Sequence, residues 1–178
     1  MEDGETAQVL GHPITFFDIG NPKTIQFGFS LEYEPGKRLT CLGDEFCRPE
    51  GEKYVAGSEW ILHEAFCLEA DNDIFHPHKI AHSTVKDACE LAERYSVPNL
   101  ILYHTEESHG NQRQKLYLEE GRKYFSGNLL VPEDLISAAA VYQEEADVFL
   151  QGEAGIVILC GQRKAGPQYV HFHKNILS

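Results

Sequence analysis

The stretch STVKDACELAERYSVPNLILYH, residues 83–104, constrains the fold most. Apolar side chains at Val85, Ala88, Cys89, Leu91 and Ala92 recur at helical spacing over 83–97, with Ser83 as the expected N-cap and Pro98 just past the end. NLILYH (99–104) follows as a short strand, apolar almost throughout, as expected of a strand covered on both faces. SEWILHEAF (58–66) reads as a strand before the helix, apolar in its middle and polar at its end. Strand, helix and strand in this order predict a βαβ crossover and therefore parallel pairing.

The segment before it has a different rhythm. ITFFDI (14–19), IQFGFSLEY (25–33) and RLTCLGD (38–44) are strand-like runs separated by GNP and EPGK turns. The second run alternates Phe27, Phe29, Leu31 and Tyr33, and pairs with the third as a predicted hairpin. After the crossover, NQRQKLYLEEGRKYF (111–125) predicts a helix and NLLVP (128–132) a strand. The expected organisation is a domain over 1–135 and an extension over 136–178. In that extension ISAAAVYQEEADVFLQG has a helical pattern, GIVILCG (155–161) that of a buried strand and QYVHFH (168–173) that of an edge strand.

Charge narrows the partners. The 178 residues carry a formal net charge of −13, which opposes a nucleic-acid backbone, so a large unassisted RNA or DNA ligand is not expected. No apolar run reaches membrane-spanning length and the first residues have no basic and apolar leader pattern, so a soluble cytoplasmic protein is expected. The five cysteines are widely spaced without a CxxC pair, which predicts buried reduced thiols.

Open parallel sheets place their sites at the carboxyl ends of the strands. Four such ends carry polar groups here: Gly43-Asp44-Glu45, His63-Glu64, the loop ending in His82, and His104-Thr105. Each alone reads equally as an ordinary loop cap; together they point to a shared rim. FHPHKIAHST (75–84) adds a rival, a local metal site of His76, His78 and His82 with Asp71 or Asp73, because imidazole and carboxylate are ordinary zinc ligands. Pro77 is expected to hold that pair extended. His171 and His173 share a predicted strand face, while His12 and His109 fall in polar turns.

At these residues the sequence resembles a family. LGDE (42–45), LHEAF (62–66), KIAHSTVKDACELA (79–92), NLILYHTEES (99–108) and NQRQKLYLEEGRKYFSGNLLVPEDL (111–135) look like the second half of the metallo-β-lactamase fold in its ribonuclease Z-like branch. The resemblance covers roughly residues 14 to 135. It implies an α/β fold, half of an αββα sandwich with a mixed sheet and flanking helices. It also implies a metal-dependent hydrolase, a phosphodiesterase, with two Zn²⁺ or Mn²⁺ ions. Asp44 matches a metal-bridging aspartate and His104 a metal-ligating histidine. His82 matches the histidine that protonates the leaving oxygen, and Glu64 the carboxylate that orients it.

The match also departs from the family. No HxHxDH string occurs in the chain, and no histidine stands before Asp44 in FFDIGNPKTIQFGF. Asp44 and His104 are two ligands where a catalytic zinc takes three. The expected remedy is a homo-oligomer or a partner chain that supplies the missing half and covers the second sheet face; residues after 135 are the other candidate for that cover. Two functions follow: a phosphodiesterase of small or cyclic nucleotides completed by outside ligands, or a non-catalytic half-fold that serves as an interaction or scaffold subunit.

Overall fold

The computed structural model describes residues 2–21, 23–132, 157–162 and 165–171. The chain divides into two units, Met1–Val131 and Pro132–Ser178. In the first, strands β1 (Thr6–Val9), β2 (His12–Asp18), β3 (Phe27–Glu34) and β4 (Lys37–Cys41) lead into helix α1 (Pro49–Val55) and strand β5 (Trp60–Glu64). One-turn helix α2 (Asn72–Phe75), helix α3 (Val85–Arg94), strand β6 (Asn99–Tyr103), helix α4 (Arg113–Gly121) and strand β7 (Asn128–Leu130) complete it. Short 3-10 turns lie at Glu69–Asp71, Pro77–Ile80 and Gly110–Gln112.

The seven strands form one mixed sheet in sequence order. β1 to β4 pair antiparallel, with Leu31 opposite Leu39 in the expected hairpin, whereas β4 to β7 pair parallel, with Ile61 beside Leu100 and Leu100 beside Leu129. The change of sense has a covalent cause. Two-residue turns can reverse a chain but not return it in parallel, so the helices appear only once parallel pairing begins. The parallel strands therefore all end on one edge, where Leu42, Ala65 and His104 begin the loops that carry the polar groups.

Pleating divides the sheet residues between two faces. Phe17, Ile61, Leu100 and Leu102 join Val85, Ala88, Cys89, Leu91 and Ala92 of α3 and Tyr117 of α4 in a continuous core. On the opposite face, Leu39 aligns with Trp60, Cys41 with Leu62, and Leu62 with Ile101, all of them buried. Gly28 on β3 is a point of close approach: a Cβ there would sit 2.5 Å from the Phe17 ring. No helix among the described residues is long and apolar enough to cross a membrane. In the second unit, strands β8 (Val157–Gln162) and β9 (Ala165–His171) form an antiparallel hairpin with Leu159 opposite Tyr169. His173 and the helical pattern over 136–152 lie outside the described residues.

Several expectations need correction. α3 is capped by Thr84, not Ser83: the Thr84 hydroxyl accepts the Asp87 N–H, and the Asp87 carboxylate accepts the Thr84 N–H at 2.8 Å. Ser83 lies one residue before the cap, and its own N–H donates to the Glu64 carboxylate. Pro77 does not hold its neighbours extended; it opens a 3-10 turn, with His76 before it in the left-handed region at φ 48°. α1 was hidden by Gly51 in its middle, although Pro49 with Glu50 and Glu52 in the first turn is a helix-start signal. The predicted helix over 111–125 begins as a 3-10 turn and is α-helical only over Arg113–Gly121. Cys41, Cys67 and Cys89 are buried free thiols and Cys47 a partly buried one.

Because the Thr84 cap satisfies two helix-end N–H groups reciprocally, Thr84→Ala should cost about 1 kcal/mol of stability. A lower urea midpoint with an unchanged slope checks it; an unaltered midpoint would deny the cap that role.

Candidate metal and acid–base site

The rim is organised around a fully buried carboxylate. Glu64, the last residue of β5, is 0% exposed. One of its oxygens accepts the Ser83 N–H and the other the Phe66 N–H at 3.1 Å. These donors tie the tip of β5 to the loop that enters α3 and place His82 beside the carboxylate. His82 Nδ1 lies 3.5 Å from Glu64 Oε2, long for a hydrogen bond, and no other polar group among the described residues is bonded to it. The imidazole is held in place by rings instead: it stacks on Phe66 with centroids 5.1 Å apart and meets His104 edge-on at the same distance.

This environment raises the His82 pKa. The main cause is the hydrogen-bonding interaction of Nδ1–H with Glu64, opposed by partial desolvation and reinforced by the charges of Glu64, Asp44 and Glu45. At 3.5 Å that interaction acts mainly as an ion pair. The neighbouring imidazole behaves oppositely. His63 is buried on the other face of β5, its Nδ1–H donates to the Glu64 carbonyl at 2.6 Å, and burial lowers its pKa.

Of the four residues singled out from the sequence, Glu64, His82 and His104 come together, with one ligand atom of each within 4.8 Å of the others. His104 sits just past β6 at φ 52°, exposed at the rim. Asp44 stands outside that group; it follows β4 and is half-buried. It does reach the same place electrostatically, since its charge acts on His82. His76 and His78 join no such group among the described residues, and His78 pairs with Asp87 at 2.7 Å, so the local HPH cage does not form.

Supporting residues were not legible as such. Tyr103 donates its hydroxyl to the Gly43 carbonyl and so latches the Asp44 loop onto β6. Gly43 itself has φ +81°, and a Cβ there would press on Ile19. On the far side of that loop Arg48 bonds Glu45 at 2.7 Å and the Ile19 carbonyl at 3.0 Å, tying the loop after β4 to the end of β2. A tyrosine closing a buried strand and an arginine just after GDEF were the only hints.

No family model matches the chain. Ribonuclease Z of Shouchella clausii is 31% identical over 100 residues, 56% of this chain and 31% of that protein. Ribonuclease Z of Archaeoglobus fulgidus is 27% identical over 113 residues, 64% of this chain and 36% of that protein. The chain thus spans about a third of the length of these curated relatives. Among solved structures, the metallo-β-lactamase fold protein YhfI of Bacillus subtilis superposes with a TM-score of 0.59 at 15% identity, over 75% of this chain and 52% of that one. Human tRNase Z, short form, gives 0.51 at 22% identity over 70% and 40%, and a diphosphatase of the PhnP family 0.52 at 15% over 74% and 44%. The chain therefore resembles ribonuclease Z over part of its length and has part of the metallo-β-lactamase fold, as its mixed sheet and flanking helices led us to expect.

In the metal-free chain, the His82 imidazole should titrate above an ordinary histidine, and Glu64→Gln should bring it down. The stability this pair contributes is complete below the unfolded-state pKa of histidine and disappears as pH rises through the raised folded value. Histidine ring resonances followed through a pH titration read both; a His82 midpoint unmoved by Glu64→Gln would show that the carboxylate does not control it.

Proposed function

We propose that this chain is the acid–base half of a metal-dependent phosphodiester hydrolase whose metal centre is completed from outside its described residues. The observation that carries the reading is the Glu64–His82 pair at the strand tips, with Asp44 and His104 bordering it. A carboxylate oxygen and an imidazole nitrogen from Asp44 and His104 suit Zn²⁺ or Mn²⁺, so the donor chemistry fits part of a divalent centre. Two donors are fewer than the three usual for a catalytic zinc, and a partner chain or second copy supplies the rest.

When bound, a divalent metal polarises the phosphoryl oxygens and acidifies water. The chain's own residues manage the leaving group. Glu64 stabilises His82 in its cationic form and fixes Nδ1 toward itself, which leaves Nε2 as the proton donor. As the phosphorus–oxygen bond to the leaving group breaks, that oxygen takes the Nε2 proton, and the neutral imidazole is reprotonated from solvent. Water and a phosphodiester become a phosphomonoester and an alcohol. The ribonuclease Z relatives and the diphosphatase neighbour favour a phosphorus-centred substrate. The net charge of −13 favours a small or cyclic nucleotide over a long RNA.

A second reading keeps the fold without the chemistry: a half-fold scaffold or interaction subunit. It is favoured by the shortfall of metal donors among the described residues. Mass in solution, metal content and hydrolysis of bis(p-nitrophenyl) phosphate separate the two. For the hydrolase, Asp44→Ala and His104→Ala should lower metal content, and His82→Ala should cut turnover about 10²–10⁴-fold with metal retained. A chain that assembles, does not turn over the diester and keeps its metal content unchanged by Asp44→Ala and His104→Ala is the scaffold.

A further inference from the structure

Asp71, Glu106 and His109 are far apart in sequence and have no part in the acid–base site. Asp71 ends a 3-10 turn before α2, Glu106 lies in the loop after β6, and His109 is the N-cap of the next 3-10 turn. One ligand atom of each lies within 4.8 Å of the others. His109 Nε2 is 2.6 Å from Asp71 Oδ2, and the two side chains are only 28% and 16% exposed. Glu106 is held on both sides. Its backbone N–H donates to the Phe66 carbonyl at 2.7 Å, and its carboxylate accepts the N–H and hydroxyl of Ser108, each at 2.7 Å.

An ion pair between His109 and Asp71 would be complete with two members. Bracing a third group, Glu106, beside it gathers two carboxylates and one imidazole within reach of a single ion. The accumulation of charge is felt nearby: the Cys67 thiol is pushed up to about 12, by burial first and then by Asp71, Glu106, Glu120 and Glu64. Two carboxylates and a neutral imidazole carry two negative charges, matching a divalent ion. Tetrahedral ligands about 2.0–2.2 Å from an ion lie roughly 3.3–3.6 Å from one another, so small side-chain shifts bring the three donors onto one centre.

We infer that Asp71, Glu106 and His109 form a second metal site, one that takes a single Zn²⁺ through two carboxylate oxygens and one imidazole nitrogen, with water completing the sphere. On binding, the Nε2 lone pair replaces the hydrogen bond to Asp71 and the ring keeps one proton on Nδ1; the cationic ring releases its Nε2 proton to solvent, and the neutral ring changes tautomer. The absence of sulfur from the set selects a borderline ion such as Zn²⁺ over soft ones. This site does not depend on the hydrolase reading, and it sits on loops that flank Phe66, the residue stacked on His82.

The test is calorimetric Zn²⁺ titration of the full chain in an Asp44→Ala, His104→Ala background, which removes the rim donors. One Zn²⁺ per chain is expected to remain, and Asp71→Asn, Glu106→Gln or His109→Ala should each weaken it by roughly tenfold or more. Co²⁺ substituted for Zn²⁺ gives a visible absorption band that His109→Ala should abolish, and circular dichroism checks that each variant is folded. If the background binds no Zn²⁺, or binds it equally after changes at 71, 106 and 109, the site does not exist. Loss of hydrolysis with this binding intact would instead count against the proposed activity alone.

Discussion

The rim depends on burying one charge. A carboxylate taken wholly out of water is costly by several kcal/mol unless its lone pairs are met. Glu64 meets them with the N–H groups of Phe66 and Ser83 and with the nearby His82 imidazole. Those partners lie on two different segments, so satisfying the charge also fixes the 66–67 and 82–84 segments against each other. Cys67 and Thr84 form an isolated parallel bridge there, and the Phe66 N–H and Ser83 carbonyl are themselves bonded at 2.9 Å. A neutral residue at 64 would remove both the cost and the reason for this knot.

The sheet topology sets where such a knot has a use. Parallel strands β4, β5 and β6 bring their carboxyl ends side by side, and each end is then held by a contact from a neighbour. Tyr103 reaches from β6 to Gly43 after β4, and the Ala65 N–H donates to the Tyr103 carbonyl at 3.0 Å. Asp44 and His104 therefore stand on loops braced to the same two strands. Loop residues braced in this way lose less freedom on binding a ligand than free loop tips would.

Much of this was legible where one-dimensional periodicity carries the information. α3 and β6 were found because their apolar spacing is strong, and the four polar strand ends followed from the strands. Glu64, His82 and His104 meet because those ends share one edge. What was not legible depends on contacts between segments. Thr84 rather than Ser83 makes the capping box with Asp87, while the Ser83 N–H goes to Glu64, nineteen residues earlier. His78 looked like part of a cage because sequence proximity was the only distance available; in three dimensions it turns to Asp87. His109 looked idle for the converse reason, its partner Asp71 lying thirty-eight residues away.

Two imidazoles beside Glu64 are shifted in opposite directions, because burial outweighs the pull of Glu64 at His63 and does not at His82. His63 and Glu64 point to opposite faces of β5, as alternation requires, so His63 meets the backbone carbonyl of Glu64 while His82 meets its side chain. The carbonyl accepts a hydrogen bond from His63 Nδ1 and the Glu64 charge also favours the cation, but burial in the helix-side layer outweighs both and lowers the pKa. At His82 the carboxylate acts on a ring that is only partly buried, so its pull exceeds the cost of desolvation and the pKa is raised. The order His-Glu at the end of β5 therefore puts the carboxylate on the rim side, beside His82, and the imidazole on the helix side.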